Sequence, residues 1–167
     1  SVSMSTSVPN AVPASEVASQ LESDVIKALR AAGAARTDAN AYVTAVLRAI
    51  AARFEASYAL ARMESATGAR EFEYKGDALP AEEWRKLADV LLLEARYHNV
   101  GKARLGGAGA TGVTAMAVPL ALGEQETNGA IALVVKGQAK DAAQAKLGEF
   151  RALAALAGAS YRPALSR

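Results

Sequence analysis

Residues 113–136 alternate in a way that only a pleated strand accommodates. Thr114, Met116, Val118, Leu120 and Leu122 take every second position, and Ala115, Ala117, Pro119 and Ala121 stand between them. Successive side chains of a strand point to opposite faces. One face of this strand is therefore large and apolar, and the other is so small that another element can pack closely on it. Glu124 to Gly129, closing on Asn128-Gly129, has hairpin-turn chemistry. Ala130–Lys136 then reads as a second apolar strand. Lys140–Gly158 follows as a helix with Leu147, Phe150, Leu153 and Leu156 turned inward.

Upstream the apolar spacing is helical. Val17, Leu21, Val25 and Leu29 recur every four residues behind a Ser15-Glu16 start, with Gly33 as the stop. Thr37-Asp38 opens a second helix whose stripe is Tyr42, Val46, Ile50 and Phe54, widened by Val43 and Leu47. The period then changes. Tyr58–Met63 reads as a mostly buried strand, and Ala69–Lys75 alternates with Phe72 and Tyr74 on one face and Glu71, Glu73 and Lys75 on the other. Ser65–Gly68 between them makes a hairpin. Pro80, Glu82 and Glu83 begin a third helix, buried along Trp84, Leu87, Leu91 and Ala95 and ended by Asn99 and Gly101. With the short segment Lys102–Leu105, the order is α-α-β-β-α-β-β-β-α. Short turns between sequential strands require antiparallel pairing. The expected fold is an α/β chain of the α+β type, with a central antiparallel sheet of five to six strands flanked by helices. The first, second and fourth helices are expected on one face.

Composition narrows the function. At 167 residues the chain suits one domain, and 51% hydrophobic content is globular. Much of that content is alanine and only 5% is aromatic, so few large side chains must build the core. A net charge of +2, with arginines scattered among acids, lacks the basic stripe of a nucleic-acid binder. The absence of cysteine removes disulfides, thiolate metal sites and thiol nucleophiles. No apolar run approaches the roughly 18–20 residues of a membrane span, and no signal-peptide pattern opens the chain. A cytoplasmic location without direct membrane insertion is expected. Residues 1–14 read as a disordered lead-in, with Ser1-Val2-Ser3 before Met4 as a cloning remnant. Residues 15–36 read as an N-terminal helix suited to linking or dimerising, and 37–165 as the main domain.

Gly107-Ala108-Gly109-Ala110-Thr111-Gly112 matches G-x-G-x-x-G, the dinucleotide fingerprint. That motif must open a helix whose N-terminus faces the pyrophosphate, whereas Val113–Pro119 is a strand, so a plain glycine connector is expected. Arg104-Leu105-Gly106-Gly107-Ala108-Gly109 resembles the R-x-x-G-x-G/A loop of the GNAT acetyltransferases, which would imply acetyl-CoA-dependent acetyl transfer. It meets the same objection. His98 is the only histidine and lacks triad or metal partners. The Glu82/Glu83 and Glu124/Glu126 pairs suit a helix start and a turn. With no catalytic constellation, a non-enzyme without cofactor or metal is expected.

Met116-Ala117-Val118-Pro119-Leu120, Gly123, Gly129-Ala130-Ile131-Ala132-Leu133 and Leu153-Ala154-Ala155-Leu156-Ala157 resemble the C-terminal half of GAF domains. The helix-and-strand segment Tyr42–Met63 and the helix Trp84–Val100 fit the earlier elements of that family, so the resemblance spans residues 38–165. It implies a GAF-like, profilin-like layered fold and a sensor or regulatory role within a larger signalling or transport protein. It further implies a small-molecule pocket on one sheet face and homodimerisation through the terminal helices. Carried onto this chain, the pocket lies between Phe72, Tyr74, Met116 and Val118 on the sheet and a cover of Trp84, Leu87, Leu91, Tyr97 and His98. The Asn-Lys…Phe…Asp-Glu pattern of cyclic-nucleotide binders is absent. Lack of cysteine excludes bilin attachment and methionine-sulfoxide reduction. A docking module without ligand is the competing reading.

Overall fold

The large-and-small alternation of residues 113–121 sets the layers of the molecule. A computed structural model describes residues 14–76, 82–107, 112–123, 127–137 and 140–163. Helices α1 (Ala14–Ala34) and α2 (Ala39–Arg53) precede strands β1 (Tyr58–Ser65) and β2 (Gly68–Lys75). Helix α3 (Glu82–His98) leads to β3 (Lys102–Leu105), β4 (Val113–Ala121) and β5 (Asn128–Lys136), and α4 (Lys140–Ser160) closes the chain. The strands form one five-stranded sheet in the order β2-β1-β5-β4-β3, with every neighbouring pair antiparallel.

Local chemistry explains the element ends. The Asp38 carboxylate accepts the Ala41 amide at 2.8 Å and caps α2. Asn99, just beyond α3, adopts a left-handed φ of 53°, the conformation that ends helices. The expected start of α3 at Pro80 lies outside the described residues, as do residues 1–13 of the expected lead-in 1–14, whereas Ala14 is corrected from lead-in to the first residue of α1. Pro119 is tolerated in β4 because β3 pairs only as far as Ala117 and leaves that stretch of β4 without a neighbour on one side.

Strand parity divides the core in two. On one side Ala61, Met63, Met116, Val118, Ile131 and Leu133 pack with Leu29 of α1, Tyr42, Val46 and Ile50 of α2, and Phe150 and Leu153 of α4. Helices α1, α2 and α4 thus share a face, as the sequence implies. The Tyr42 hydroxyl donates to the Ala157 carbonyl, and its ring meets Tyr161 at 4.9 Å. Burial pushes the Tyr42 phenol up to about 12, so it stays a donor throughout the neutral range. Phe54 and Phe150, 5.7 Å apart, tie the far end of α2 to α4.

The other side has alanine at its centre, with Tyr58, Leu60, Val113 and Val134 buried around it. Ala115, Ala117, Ala130 and Ala132 are fully buried beneath Ala88, Leu91, Leu92 and Ala95 of α3. Asn128-Gly129 is corrected from turn to strand: Gly129 pairs with both Met63 and Leu120. A side chain at Gly129 would collide with the Arg62 carbonyl, so glycine there permits close approach of β5 to β1.

If α3 rests on that alanine bed, enlarging it lifts the helix. Ala117→Leu is expected to lower stability by about 1–3 kcal/mol, while truncating the solvent-facing Tyr97 to alanine changes it by about 0.5 kcal/mol or less. Urea denaturation midpoints of the two variants check this.

Candidate functional site

Around its apolar seat, α3 is fastened by charge. On the α3 side of the sheet, period-two alternation brings Arg62 of β1 beside Glu71 and Glu73 of β2. Arg62 donates to Glu71 and, at 3.0 Å, to Asp89 of α3. Arg85 of α3 spans Glu71 at 2.7 Å and Glu73 at 2.8 Å. The Tyr58 hydroxyl donates to Glu73. At the other end of the helix Arg104 of β3 reaches Glu94 at 3.0 Å, and Arg96 lies 3.8 Å from Glu64. The bond from Arg62 holds the Glu71 carboxyl below the ordinary carboxylate range. Burial, followed by the bond to Glu73, raises the Tyr58 phenol. Exposed pairs are individually weak, about 0–1 kcal/mol. Joined in a network, they add to the apolar packing of Tyr58, Leu60, Val113 and Val134 in holding α3 over its alanine-centred seat.

The structure does not assemble the expected pocket. Leu91 is fully buried on the alanine bed, and Trp84 and Leu87 flank it, half-buried. Met116 and Val118 are fully buried on the opposite side, where Phe72 and Tyr74 pack against the same cluster. Tyr97 is 73% exposed and His98 is exposed, both at the solvent end of α3. The sheet itself stands between the two groups. The physical reason is that Met116 and Val118 belong to the large face, which three helices need. The small face is left for the one helix that must approach closely.

The glycine segment is a strand connector. The Gly106 amide bonds the Val113 carbonyl at 2.8 Å, so Arg104-Leu105 and Val113 belong to adjacent antiparallel strands. Residues 108–111 of that motif lie outside the described residues. The segment runs from strand to strand, which does not match the helix-opening context of a dinucleotide or acetyl-CoA loop. Among the described residues no group of three or more His, Cys, Asp and Glu side chains converges to hold a metal.

A cavity of about 170 Å³ opens elsewhere, between the start of α2 and the tip of the β1–β2 hairpin. Its floor is Val43, Met63, Phe72 and Leu122, and its rim carries Asn40, Ser65, Thr67 and Arg70. Of the residues expected to bind ligand, only Phe72 lines it. The hairpin turn is braced by Ser65 and Thr67, whose hydroxyls lie 2.9 Å apart. A wider, largely apolar groove of about 260 Å³ runs between α1 and α2 along Val25, Ala28, Ala49 and Ala52. The Arg53 guanidinium at its end is taken by Glu149 at 2.7 Å. Sequence reasoning missed the hairpin cavity because its lining comes from four separated segments. The one signal for it was Arg70, a charge in phase with Phe72 and Tyr74 on the core-side face of β2.

No protein-family model matches the chain, and no curated protein matches it. Solved structures do. The A. aeolicus nlh2 GAF domain in an inactive state aligns with a TM-score of 0.62 at 9% identity, over 86% of this chain and 96% of that one. The GAF domain of a putative sensor histidine kinase from Pseudomonas syringae pv. tomato aligns at 0.53 with 18% identity, over 87% and 85% of the two chains. The N-acylhomoserine lactone dependent LuxR family transcription factor CepR2 from Burkholderia cenocepacia aligns at 0.51 with 14% identity, over 86% and 93%. The fold is GAF-like: a five-stranded antiparallel sheet between a three-helix layer and a single helix. At these identities the likeness defines the architecture.

Glu71 supplies a pH test of the α3 clamp. Its carboxyl is depressed in the folded state, so its stabilisation is present above the ordinary value of 4.5 and fades as pH falls through the lower folded value. The stability of the wild-type chain is expected to fall more steeply than that of Glu71→Gln between about pH 5 and 3. Urea midpoints measured across that range check the difference.

Proposed function

We propose that this chain is a non-catalytic regulatory domain of the sensor type, which recognises a small molecule and passes its state to the helical layer. The observation that supports this most directly is the location of the hairpin cavity. Residues from α2 and the sheet line it together, so an occupant touches the layer that α2 forms with α1 and α4. An occupant binding one arrangement of α2 better than another shifts the whole layer, because Tyr42 and Phe54 couple α2 to α4 at both ends. The GAF-like architecture and the sensor kinase among its structural neighbours agree with this reading.

The test is a ¹⁵N-NMR titration of the whole chain with a panel of small neutral and charged organic fragments. Shifts are expected to cluster at Asn40, Val43, Thr67, Arg70 and Phe72, and Thr67→Trp, which fills the cavity mouth from an exposed turn position, is expected to abolish them. Shifts confined to α3, or none from any fragment, would overturn the ligand-sensor reading.

A second reading, homodimerisation, is favoured by the exposed apolar residues. Val90, Tyr97, Val100 and Leu105 are the exposed large hydrophobics among the described residues, and all lie on α3 or the segment through β3. Helix α3 is acidic in its first turn at Glu82 and Glu83, and basic in its last at Arg96 and His98. Two copies crossing antiparallel would set opposite charges together. On this reading the contact is on α3 and not on the terminal helices that the family resemblance implies. Sedimentation velocity is expected to show a dimer that Val90→Glu with Tyr97→Glu dissociates. A monomer at all concentrations removes this reading.

A further inference from the structure

We infer that the hairpin cavity takes a small organic monocarboxylate with a compact apolar body, its carboxylate held by Arg70. This rests on the sensor reading and names the chemistry of its ligand. Arg70 is set apart from the other charges of β2. Glu71 and Glu73 face α3 and are held by Arg62 and Arg85, whereas Arg70 opposes Met63 on the other side of the sheet. Among the described residues no carboxylate pairs with it and none lines the cavity. Among the described residues its guanidinium is therefore the only charge on the lining.

The remaining lining fixes what accompanies that charge. Asn40 adds a side-chain amide on the rim, and its backbone carbonyl already accepts the Thr44 hydroxyl at 2.8 Å. A guanidinium fork with an amide donor matches the two oxygens of a carboxylate. The floor of Val43, Met63, Phe72 and Leu122 offers no polar side chain, so the rest of the ligand is hydrocarbon or aromatic. The cavity of about 170 Å³ is below the roughly 300–1,000 Å³ of drug-sized sites, which excludes nucleotides and tetrapyrroles. A divalent cation finds no carboxylate among the described lining residues, and inorganic phosphate leaves the apolar floor uncovered. Arginine on an edge strand also discourages strand-to-strand aggregation. That role requires only a charge at the edge and makes no distinction between ligands, so ligand discrimination separates the two.

The test uses benzoate, its neutral isostere benzamide and inorganic phosphate, titrated into the ¹⁵N-labelled chain. Benzoate is expected to bind about tenfold or more tightly than benzamide, with shifts at Asn40, Thr67 and Phe72. Arg70→Gln is expected to reduce benzoate binding to the benzamide level, with its melting temperature close to wild type because the side chain is exposed. Arg70→Lys, which keeps the charge and loses the fork, is expected to fall between them. Equal binding of benzoate and benzamide, benzoate binding unchanged in Arg70→Gln, or phosphate binding as tightly as benzoate would overturn the carboxylate assignment and leave the sensor reading standing. Failure of all three probes and of the neutral fragments at this cavity would overturn both.

Discussion

Four alanines, Ala115, Ala117, Ala130 and Ala132, govern how this molecule is layered. They leave the centre of one sheet face without relief, and a helix can lie on it with its own Leu91 and Leu92 filling the space. The methyl groups at the centre give close contact but little side-chain interdigitation, and Tyr58, Leu60, Val113 and Val134 supply the larger apolar contacts around them. The charged residues around the alanine bed add a directional fastening. Arg62, Glu71, Glu73 and Arg85 fasten one edge of α3, and Arg104 with Glu94 fastens the other. Packing and electrostatics therefore do different jobs on the same helix.

The opposite face has the reverse character. Met116, Val118, Ile131 and Leu133 project far enough to engage three helices, and aromatic contacts join α2 to α4. This division decides where the cavity lies. Beneath α3, where the sequence led to the expectation of a ligand, the described residues pack closely on one another. The cavity with mixed lining lies on the other side, at the hairpin tip, next to α2. Residues of α2 line that cavity, so it borders the three-helix layer with no sheet between them.

Much of the architecture was legible in the chain. The change from four-residue to two-residue spacing separates helices from strands, the short turns dictate antiparallel neighbours, and the apolar stripes of the first, second and fourth helices mark them as a set. The small face of β4 was also legible as a surface for close packing. Asn128-Gly129 misled, since its turn chemistry is equally the requirement of a strand position where two backbones approach. The candidate site was legible only in part. Phe72 belongs to the cavity, but Met116, Val118 and Tyr74 lie in the core of that side, and Leu91 lies across the sheet from them.

By itself the sequence determined the element order, the face on which each strand residue sits relative to its neighbours, and the absence of cysteine chemistry. Tertiary structure decided which helix meets which face, that Glu71 and Glu73 face a helix and not solvent, and that Arg70 borders a cavity. The reason is physical. Side-chain period is a local property of the backbone, readable from a few residues. Which surface covers it depends on volumes and charges brought together from segments far apart in the chain.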